Sequence, residues 1–309
     1  MGGTNMKRFT KIICVSLVVL LISSLTVAAL AAPKKIVVGV SLLTREHVFY
    51  NNIEKSLIAR AKKLGVKLIV QDASRDSNKQ LSQVQDFITQ KVNAIILCPT
   101  NSAGSKSMVE LANKANIPVF TMDISSDGQT VAHVATDNYK GGELAADYVA
   151  KKMLPTHKGE VAIVTYSEVE SCVNREKGFK EFLTKNYPDI KVVDVQNCSG
   201  DQAKAADVTQ NMLVKFPNLQ VIFGVGDPFA MGALSAIKAA NRNVQVIGFD
   251  GNPEGIAEIK SGGLWKADIA QDPAAIGAKT LDAAMDKING KTVPKLIPIA
   301  PKVIDKTNL

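Results

Sequence analysis

Two aspartates end short β-branched runs at corresponding places along the chain. Asp123 follows the run 117–122, and Asp250 follows the run 244–249. A carboxylate at a strand end can accept hydrogen bonds from two neighbouring hydroxyls of a ligand. Paired carboxylates also serve glycoside hydrolysis, and a single aspartate in such a place often caps a helix or lies in a solvated turn. We interpret this pair as hydroxyl acceptors in a binding cleft.

A cleft that binds hydroxyls also needs hydrogen-bond donors and aromatic planes. Arg175 opens a helical stretch and carries a fork of N–H groups, and the amide of Gln271 both donates and accepts. The simpler roles are a surface ion pair for Arg175 and bonds to backbone for Gln271. The remaining candidates, for which the core or the surface is the alternative, are Phe49, Tyr50, Phe249 and His47.

These side chains must be positioned by strands and helices that alternate along the chain. Helical stretches with apolar residues three and four apart separate the β-branched runs. This alternation predicts an α/β fold with parallel sheets and crossover helices. The predicted strands are 36–40, 66–71, 94–97, 117–122, 161–166, 191–195, 221–225 and 244–249, and the main helices are 51–64, 78–91, 175–185 and 201–215.

An internal repeat indicates two similarly built halves. Asp76 and Lys79 are matched 125 residues later by Asp201 and Lys204, and the run that ends at Asp123 is matched 127 residues later by the run that ends at Asp250. Two matches in the same order, at nearly the same offset, favour a duplicated architecture. Ligands of open parallel sheets bind at the carboxyl ends of the strands, so two facing sheets predict one cleft.

Composition fits a folded chain of about two domains. The chain has 309 residues, of which 46% are hydrophobic and 21% charged, which argues against disorder and against a polytopic membrane protein. Three of the positive charges behind the net charge of +8, on Lys7, Arg8 and Lys11, lie in an N-terminal segment without acidic residues. The other basic residues are interspersed with acidic ones, so we expect a solvated surface rather than a nucleic-acid interface. No hydrolase, phosphate-loop or zinc motif is present, and the histidines show no metal spacing. We therefore expect neither an enzyme nor a cofactor or metal.

Residues 1–31 have the three parts of a secretory signal. Lys7, Arg8 and Lys11 precede an apolar run, and Ala29 and Ala31 form a small-x-small cleavage site. A transmembrane anchor is the alternative, but serines interrupt the run. The sequence predicts cleavage after Ala31 and export to the periplasm.

Seven segments in order resemble the periplasmic sugar-binding proteins that feed ABC transporters, with the ribose-binding branch the most similar. The resemblance extends over most of residues 36–304. The segments are 37–41, 47–50, 118–123, 135–142, 175–179, 246–251 and 269–273.

The resemblance implies a type I fold of two doubly wound parallel-sheet lobes joined by a hinge with three crossings. One lobe would comprise residues 33–137 and 272–300, and the other residues 138–271 and 301–309. The implied function is a monomeric receptor whose lobes close on a monosaccharide or sugar alcohol and deliver it to an ABC permease. The alternative is a sensor subunit that presents its ligand to a chemoreceptor or a sensor kinase.

The resemblance also implies that the ligand is bound by His47, Phe49, Tyr50, Asp123, Arg175, Phe249, Asp250 and Gln271. Three positions depart from the ribose pattern: Ile124 replaces an arginine, Gly226 an asparagine and Gly200 an aromatic residue. These departures make ribose a poor fit and favour a bulkier sugar, a polyol or a deoxy sugar in the space they open. Replacement groups could come from Arg45, Glu46 or Glu170.

Two of the cysteines follow neighbouring predicted strands. Cys172 and Cys198 each lie beyond the carboxyl end of such a strand, and an exported protein meets an oxidising environment. We expect them to form a disulfide, with two free thiols as the alternative, and we expect Cys98 to be a buried free thiol.

Overall fold

The computed structural model describes residues 35–309, so the predicted signal peptide lies outside the described residues. Within these residues, twelve strands form two sheets of six. They are β1 (Val37–Leu42), β2 (Lys67–Asp72), β3 (Ala94–Leu97), β4 (Val119–Met122), β5 (Ala132–Thr136), β6 (Gly159–Thr165), β7 (Ile190–Asn197), β8 (Leu219–Gly224), β9 (Gln245–Asp250), β10 (Trp265–Ala270), β11 (Leu296–Ile299) and β12 (Lys302–Asp305).

Nine α-helices connect the strands of this described region. They are α1 (Val48–Leu64), α2 (Ser77–Thr89), α3 (Lys106–Lys114), α4 (Asn138–Tyr148), α5 (Glu170–Asn186), α6 (Gln202–Lys215), α7 (Asp227–Ala239), α8 (Pro253–Ser261) and α9 (Pro273–Ile288). A π-helical turn, Val149–Met153, extends α4.

The two sheets have the same strand order. The first runs β11-β5-β4-β3-β1-β2 and the second β12-β10-β9-β8-β6-β7. All neighbours are parallel except β10 and β12. Helices cover both faces of such sheets, so the inner strands consist of continuous apolar residues. All four residues of β3, for example, are buried. The predicted α/β fold with two parallel-sheet lobes is confirmed.

We call the region built on each sheet the first lobe and the second lobe. The chain passes from one to the other three times: between β5 and α4, between β10 and α9, and between β11 and β12. Helix α4 packs on α5 in the second lobe, whereas α9 packs on α1 in the first.

The sequence repeat corresponds to a repeated helix cap. Asp76 accepts hydrogen bonds from the backbone N–H groups of Asn78 and Lys79 at the start of α2. Asp201 accepts in the same way from the N–H of Lys204 at the start of α6. These caps satisfy backbone donors that have no partner within the helix.

Helices α4 and α5 approach so closely that two glycines are required at their crossing. A Cβ on Gly142 would lie 2.1 Å from the carbonyl oxygen of Arg175, and one on Gly178 would lie 2.1 Å from that of Tyr139. Both obstacles are backbone atoms, which cannot turn aside as a flexible side chain does. The crossing therefore fixes the position of the Arg175 backbone.

We expect Gly142→Ala to lower the free energy of unfolding by about 1–3 kcal/mol, because the helices must separate to admit the methyl group. Gly263→Ala is the matched control, since its nearest neighbour is a side-chain oxygen 3.3 Å away. Urea unfolding measures both variants. Equal stability of the two would contradict the described close packing of α4 on α5.

Candidate functional site

A cavity lies between the carboxyl ends of the two sheets. Both lobes contribute to its wall. The lining residues are Leu43, His47, Phe49, Tyr50, Arg75, Asp123, Ile124, Tyr166, Val169, Ser171, Cys172, Arg175, Gly200, Gly226, Pro228, Phe229, Asp250 and Gln271.

The two strand-end aspartates share an unusual backbone. Asp123 has a φ of 61° and Asp250 a φ of 128°, a region that L-residues rarely adopt. Strained backbone of this kind concentrates at functional sites, where the surroundings hold it in place. In both lobes the strain occurs where the carboxylate reaches the cavity.

A buried ion pair forms the second-lobe side of the cavity. Arg175 Nη1 lies 3.3 Å from Asp250 Oδ1, and both side chains are less than one-tenth exposed. Gln271 Nε2 donates to the same Asp250 oxygen at 2.7 Å, while its own Oε1 accepts from the Thr136 hydroxyl at 2.5 Å. Gln271 thus joins the binding carboxylate to the end of a first-lobe strand.

Arg175 is fixed on every side. Its Nε donates to Asn138 Oδ1 and its Nη1 to the Val225 carbonyl, both at 2.8 Å. The guanidinium carbon lies 3.7 Å from the centre of the Phe249 ring, a cation–π contact. Its orientation is therefore set without a ligand partner.

Phe249 differs from the expectation that it stacks on a ligand. It is fully buried beneath Arg175 and does not line the cavity. The reason is the alternation of a strand: Asp250 faces the cavity, so the preceding residue faces the other way. Phe249 supports the arginine from the core.

Asp123 forms the first-lobe side of the cavity with little compensation for its charge. Oδ2 accepts from the Tyr50 hydroxyl at 3.0 Å, whereas the buried Oδ1 has no hydrogen-bond partner. Burial raises the pKa of Asp123 from 3.8 to about 6, although Arg175 and the Tyr50 hydroxyl both lower it. An unpaired acceptor at the cavity wall suits a ligand hydroxyl.

His47 caps helix α1 and faces the opposite lobe. Nδ1 accepts from the backbone N–H of Phe49 at 3.2 Å, so Nε2 carries the proton. Nε2 lies 3.9 Å from Asp250 Oδ2, too far for a hydrogen bond. Burial lowers the pKa of His47, so the ring is a neutral donor at pH 7. The rings of His47, Phe49 and Tyr50 contact one another edge to face.

Two aromatic residues of the cavity are not among the predicted ligand contacts. Tyr166 and Phe229 meet edge to face with their centroids 6.4 Å apart. A Cβ on Gly226 would lie 3.1 Å from Phe229, and one on Gly200 would lie 3.1 Å from Tyr166. The space expected at the two glycines is therefore filled by these rings. An aromatic residue directly after a buried strand, as Tyr166 follows β6, was the available signal.

The three side chains expected to replace the missing ligand groups lie in different places relative to the cavity. Arg45 forms an ion pair with Glu54 at 2.6 Å, and Glu46 is largely exposed; neither lines the cavity. Glu170 instead accepts from the Ser125 hydroxyl of the first lobe at 2.9 Å. Arg75, which is not among the predicted ligand groups, reaches the cavity and donates to the carbonyl of Gly200.

The lobes touch each other beside the cavity, so the cleft is closed. The Tyr166 hydroxyl donates to the carbonyl of Thr100 at 3.3 Å. The backbone N–H of Glu170 donates to the Ser102 hydroxyl at 3.1 Å, and the N–H of Ser102 donates to the Glu168 carbonyl at 3.3 Å. These contacts join loops that follow strand ends in both sheets.

Cys172 and Cys198 are free, buried thiols in the structure, as is Cys98. Cys172 lies in the first turn of α5 and lines the cavity, whereas Cys198 donates to the Thr165 carbonyl at 3.3 Å. The structure therefore does not contain the expected disulfide, and the Cys198 thiol is instead directed at the Thr165 carbonyl. Burial raises the pKa of Cys172 to about 12 and that of Cys198 to about 11, which disfavours the reactive thiolates.

Within residues 35–309, no three His, Cys, Asp or Glu side chains cluster in a way that could hold a metal ion. The same part of the chain contains no helix with the length and apolar character needed to cross a bilayer.

Fold and site together define a two-lobed binding protein, and comparison with known proteins gives its family. The chain matches the periplasmic binding protein domain over residues 38–292 and belongs to that family. It is 37% identical over 265 residues to the ribose import binding protein RbsB of Bacillus subtilis, with 85% of each chain covered.

Solved structures agree with this assignment. The Caulobacter myo-inositol binding protein, bound to myo-inositol, has a TM-score of 0.82 at 31% identity and covers 90% of this chain and 96% of its own. An ABC transporter periplasmic solute binding protein of Actinobacillus succinogenes, with bound D-allose, has a TM-score of 0.81 at 29% identity. The match covers 88% of this chain and 98% of that protein. The resemblance inferred from the sequence is confirmed.

We expect Tyr50→Phe to destabilise the protein more at pH 8 than at pH 4.5. The lost hydroxyl stabilises the Asp123 carboxylate, which is protonated well below its pKa of about 6. The loss at pH 8 should be about 1.5–3 kcal/mol, as for a hydrogen bond to a charged group. Urea unfolding at both pH values measures it.

Tyr139→Phe is the control, because its hydroxyl bonds the exposed Glu181. A loss for Tyr50→Phe that is the same at both pH values would contradict the described role of the hydroxyl.

Proposed function

We propose that the protein is the receptor of a sugar import system, which closes its two lobes on a monosaccharide or sugar alcohol and delivers it to an ABC permease. The observation that carries this proposal is the convergence of Asp123 from one lobe and Arg175 with Asp250 from the other on one closed cavity. A ligand between them is contacted by both lobes only when the cleft is closed. Its binding energy therefore favours closure.

The chemistry of the cavity wall suits a polyhydroxylated ring or chain. Asp123 and Asp250 supply acceptors, and Arg175 and His47 supply donors. Apolar C–H faces have partners in the rings of the wall and in Ile124. The names of the relatives, which include ribose import and myo-inositol binding proteins, support a ligand of this size.

The three passages between lobes are the proposed hinge. Rotation there would move residues 33–137 with 272–300 against residues 138–271 with 301–309. Gln271 lies at one passage and bonds both Thr136 and Asp250, so hinge and site would move together. We assign the ligand contacts to His47, Phe49, Tyr50, Asp123, Arg175, Asp250 and Gln271, with Tyr166 and Phe229 added.

Export through residues 1–31 and a periplasmic location complete the proposal. The family name and the import function of the relatives support a membrane permease as partner. Binding rather than catalysis is the proposed role of the two carboxylates.

The function is tested by thermal-shift screening of the chain from Ala32 onward against ribose, allose, tagatose, myo-inositol and glycerol. At least one sugar or polyol should raise the melting temperature in a concentration-dependent way, because a ligand that binds only the folded state stabilises it. The absence of any shift across pentoses, hexoses and polyols would contradict the proposal.

With the sugar so identified, Asp250→Ala and Arg175→Ala should each weaken binding by about 30- to 1,000-fold, roughly 2–4 kcal/mol, because each leaves a buried polar partner unpaired. Calorimetry measures the affinity, and circular dichroism checks that the lobes remain folded. Arg45→Ala is the matched control, since that arginine pairs with Glu54 outside the cavity. Unchanged affinity in both cavity variants would place the ligand elsewhere.

A further inference from the structure

A second pair of carboxyl groups lies behind Asp250. Asp227 is the first residue of α7, and Asp268 lies on β10 beside Gly248 of β9. Their exposed fractions are 4% and 0%. Neither side chain forms an ion pair, so the charge of a carboxylate there would have no direct compensation.

Each carboxyl group uses one oxygen to hold the segment that follows Asp250. Asp268 Oδ1 accepts from the backbone N–H of Gly251 at 3.0 Å, and Asp227 Oδ2 accepts from that of Asn252 at 2.7 Å. The backbone N–H of Asp227 also donates to Asp250 Oδ2 at 3.3 Å. The pair therefore contacts three consecutive residues that begin with the binding carboxylate.

The other two oxygens converge on Gly248. A Cβ on Gly248 would lie 2.6 Å from Asp268 Oδ2 and 2.7 Å from Asp227 Oδ1, so both oxygens lie over the same glycine. Neither has a hydrogen-bond donor. Two carboxylates so placed repel each other, whereas one added proton turns the contact into a charge-assisted hydrogen bond.

We propose that Asp227 and Asp268 share one proton and together act as a positioning pair that holds Asp250 in its ligand-binding orientation. The binding part of this inference rests on the proposed function, whereas the shared proton does not. Losing the proton would set two negative charges against each other directly behind Asp250 and loosen the segment 250–252.

The charged groups around the pair favour retention of the proton. Burial raises the pKa of Asp227 well above its ordinary value and that of Asp268 to about 7, and Asp250 raises both further. Arg175 lowers the pKa of Asp268 but is itself paired with Asp250. The groups beyond these are His47, next to Asp250, and Glu46 and Glu254, along the outer groove that Asp227 also lines.

The first test needs no ligand. When folding raises the pKa of a carboxyl group, the folded state holds a proton at pH values where the unfolded chain has already lost it. The free energy of unfolding therefore falls as the pH rises from about 4 to about 7. Asp123 contributes in the same direction and His47 in the opposite one, so the pair is isolated by comparing variants. In Asp227→Asn and in Asp268→Asn, the amide supplies the bridging hydrogen at every pH.

We expect the melting temperature of the unmodified chain to fall by about 4–8 °C between pH 4.5 and pH 8. In each asparagine variant the melting temperature should fall by no more than about half as much over the same pH range. Asp207→Asn, on the exposed face of α6, is the matched control. A fall as large in either asparagine variant as in the control would overturn the shared proton. So would failure of either variant to fold, because an amide preserves the bridge.

The second test measures affinity for the sugar that gives the largest thermal shift in the panel. Asp268→Asn should bind within about threefold of the unmodified chain at pH 6, because Oδ1 still accepts from Gly251, and should not lose affinity at pH 8.5. Asp268→Ala should bind about tenfold more weakly at both pH values. Equal affinity of Asp268→Ala and the unmodified chain would overturn the positioning role. If no sugar binds at all, the proposed function fails while the pH dependence of melting still decides the shared proton.

Discussion

The site depends on one buried guanidinium. Arg175 compensates the charge of Asp250, and an unpaired carboxylate at that depth would be strongly disfavoured. Asn138, the carbonyl of Val225 and the ring of Phe249 hold the arginine from three directions. The glycine crossing of α4 and α5 places its backbone. A group that we assign to ligand binding is thus also a group on which second-lobe packing depends.

The two lobes repeat a topology but not an electrostatic environment. Asp123 and Asp250 occupy equivalent strand ends, and both have a positive φ. The second lobe gives its carboxylate an arginine and an amide, whereas the first lobe gives Asp123 a tyrosine hydroxyl and a distant thiol. Burial therefore raises the pKa of Asp123, and one lobe presents an ion pair where the other presents a poorly satisfied acceptor. A ligand between them would meet two different chemistries.

The sequence predicted the α/β class because local patterns and the repeat agreed, although β5, β10, β11 and β12 were not among the predicted strands. Alternating strands and helices predicted the sheets, and the repeated Asp76 and Asp201 turned out to be equivalent helix caps. The strand-end aspartates were placed by the same logic, because carboxyl ends of parallel strands meet at one edge. The alternation of side chains along β9 also implies the observed orientation of Phe249, which points away from the cavity that Asp250 faces.

Other features of the site depend on packing between distant elements and could not be predicted from the sequence. Phe229 and Tyr166 fill the space beside two glycines only because α7 and the end of β6 face the same cavity. The pairing of Asp227 with Asp268 requires a helix start and a neighbouring strand to converge over Gly248. No periodicity reports such contacts.

The central claim is that both lobes bind one ligand through their strand-end carboxylates. A crystal structure of the chain with its sugar or polyol tests it most directly. The account predicts a ligand in the closed cleft, with hydroxyls within hydrogen-bond distance of Asp123 Oδ1, Asp250 and Arg175. A ligand bound outside the cleft, or held by one lobe alone with Asp123 Oδ1 still unpaired, would contradict it.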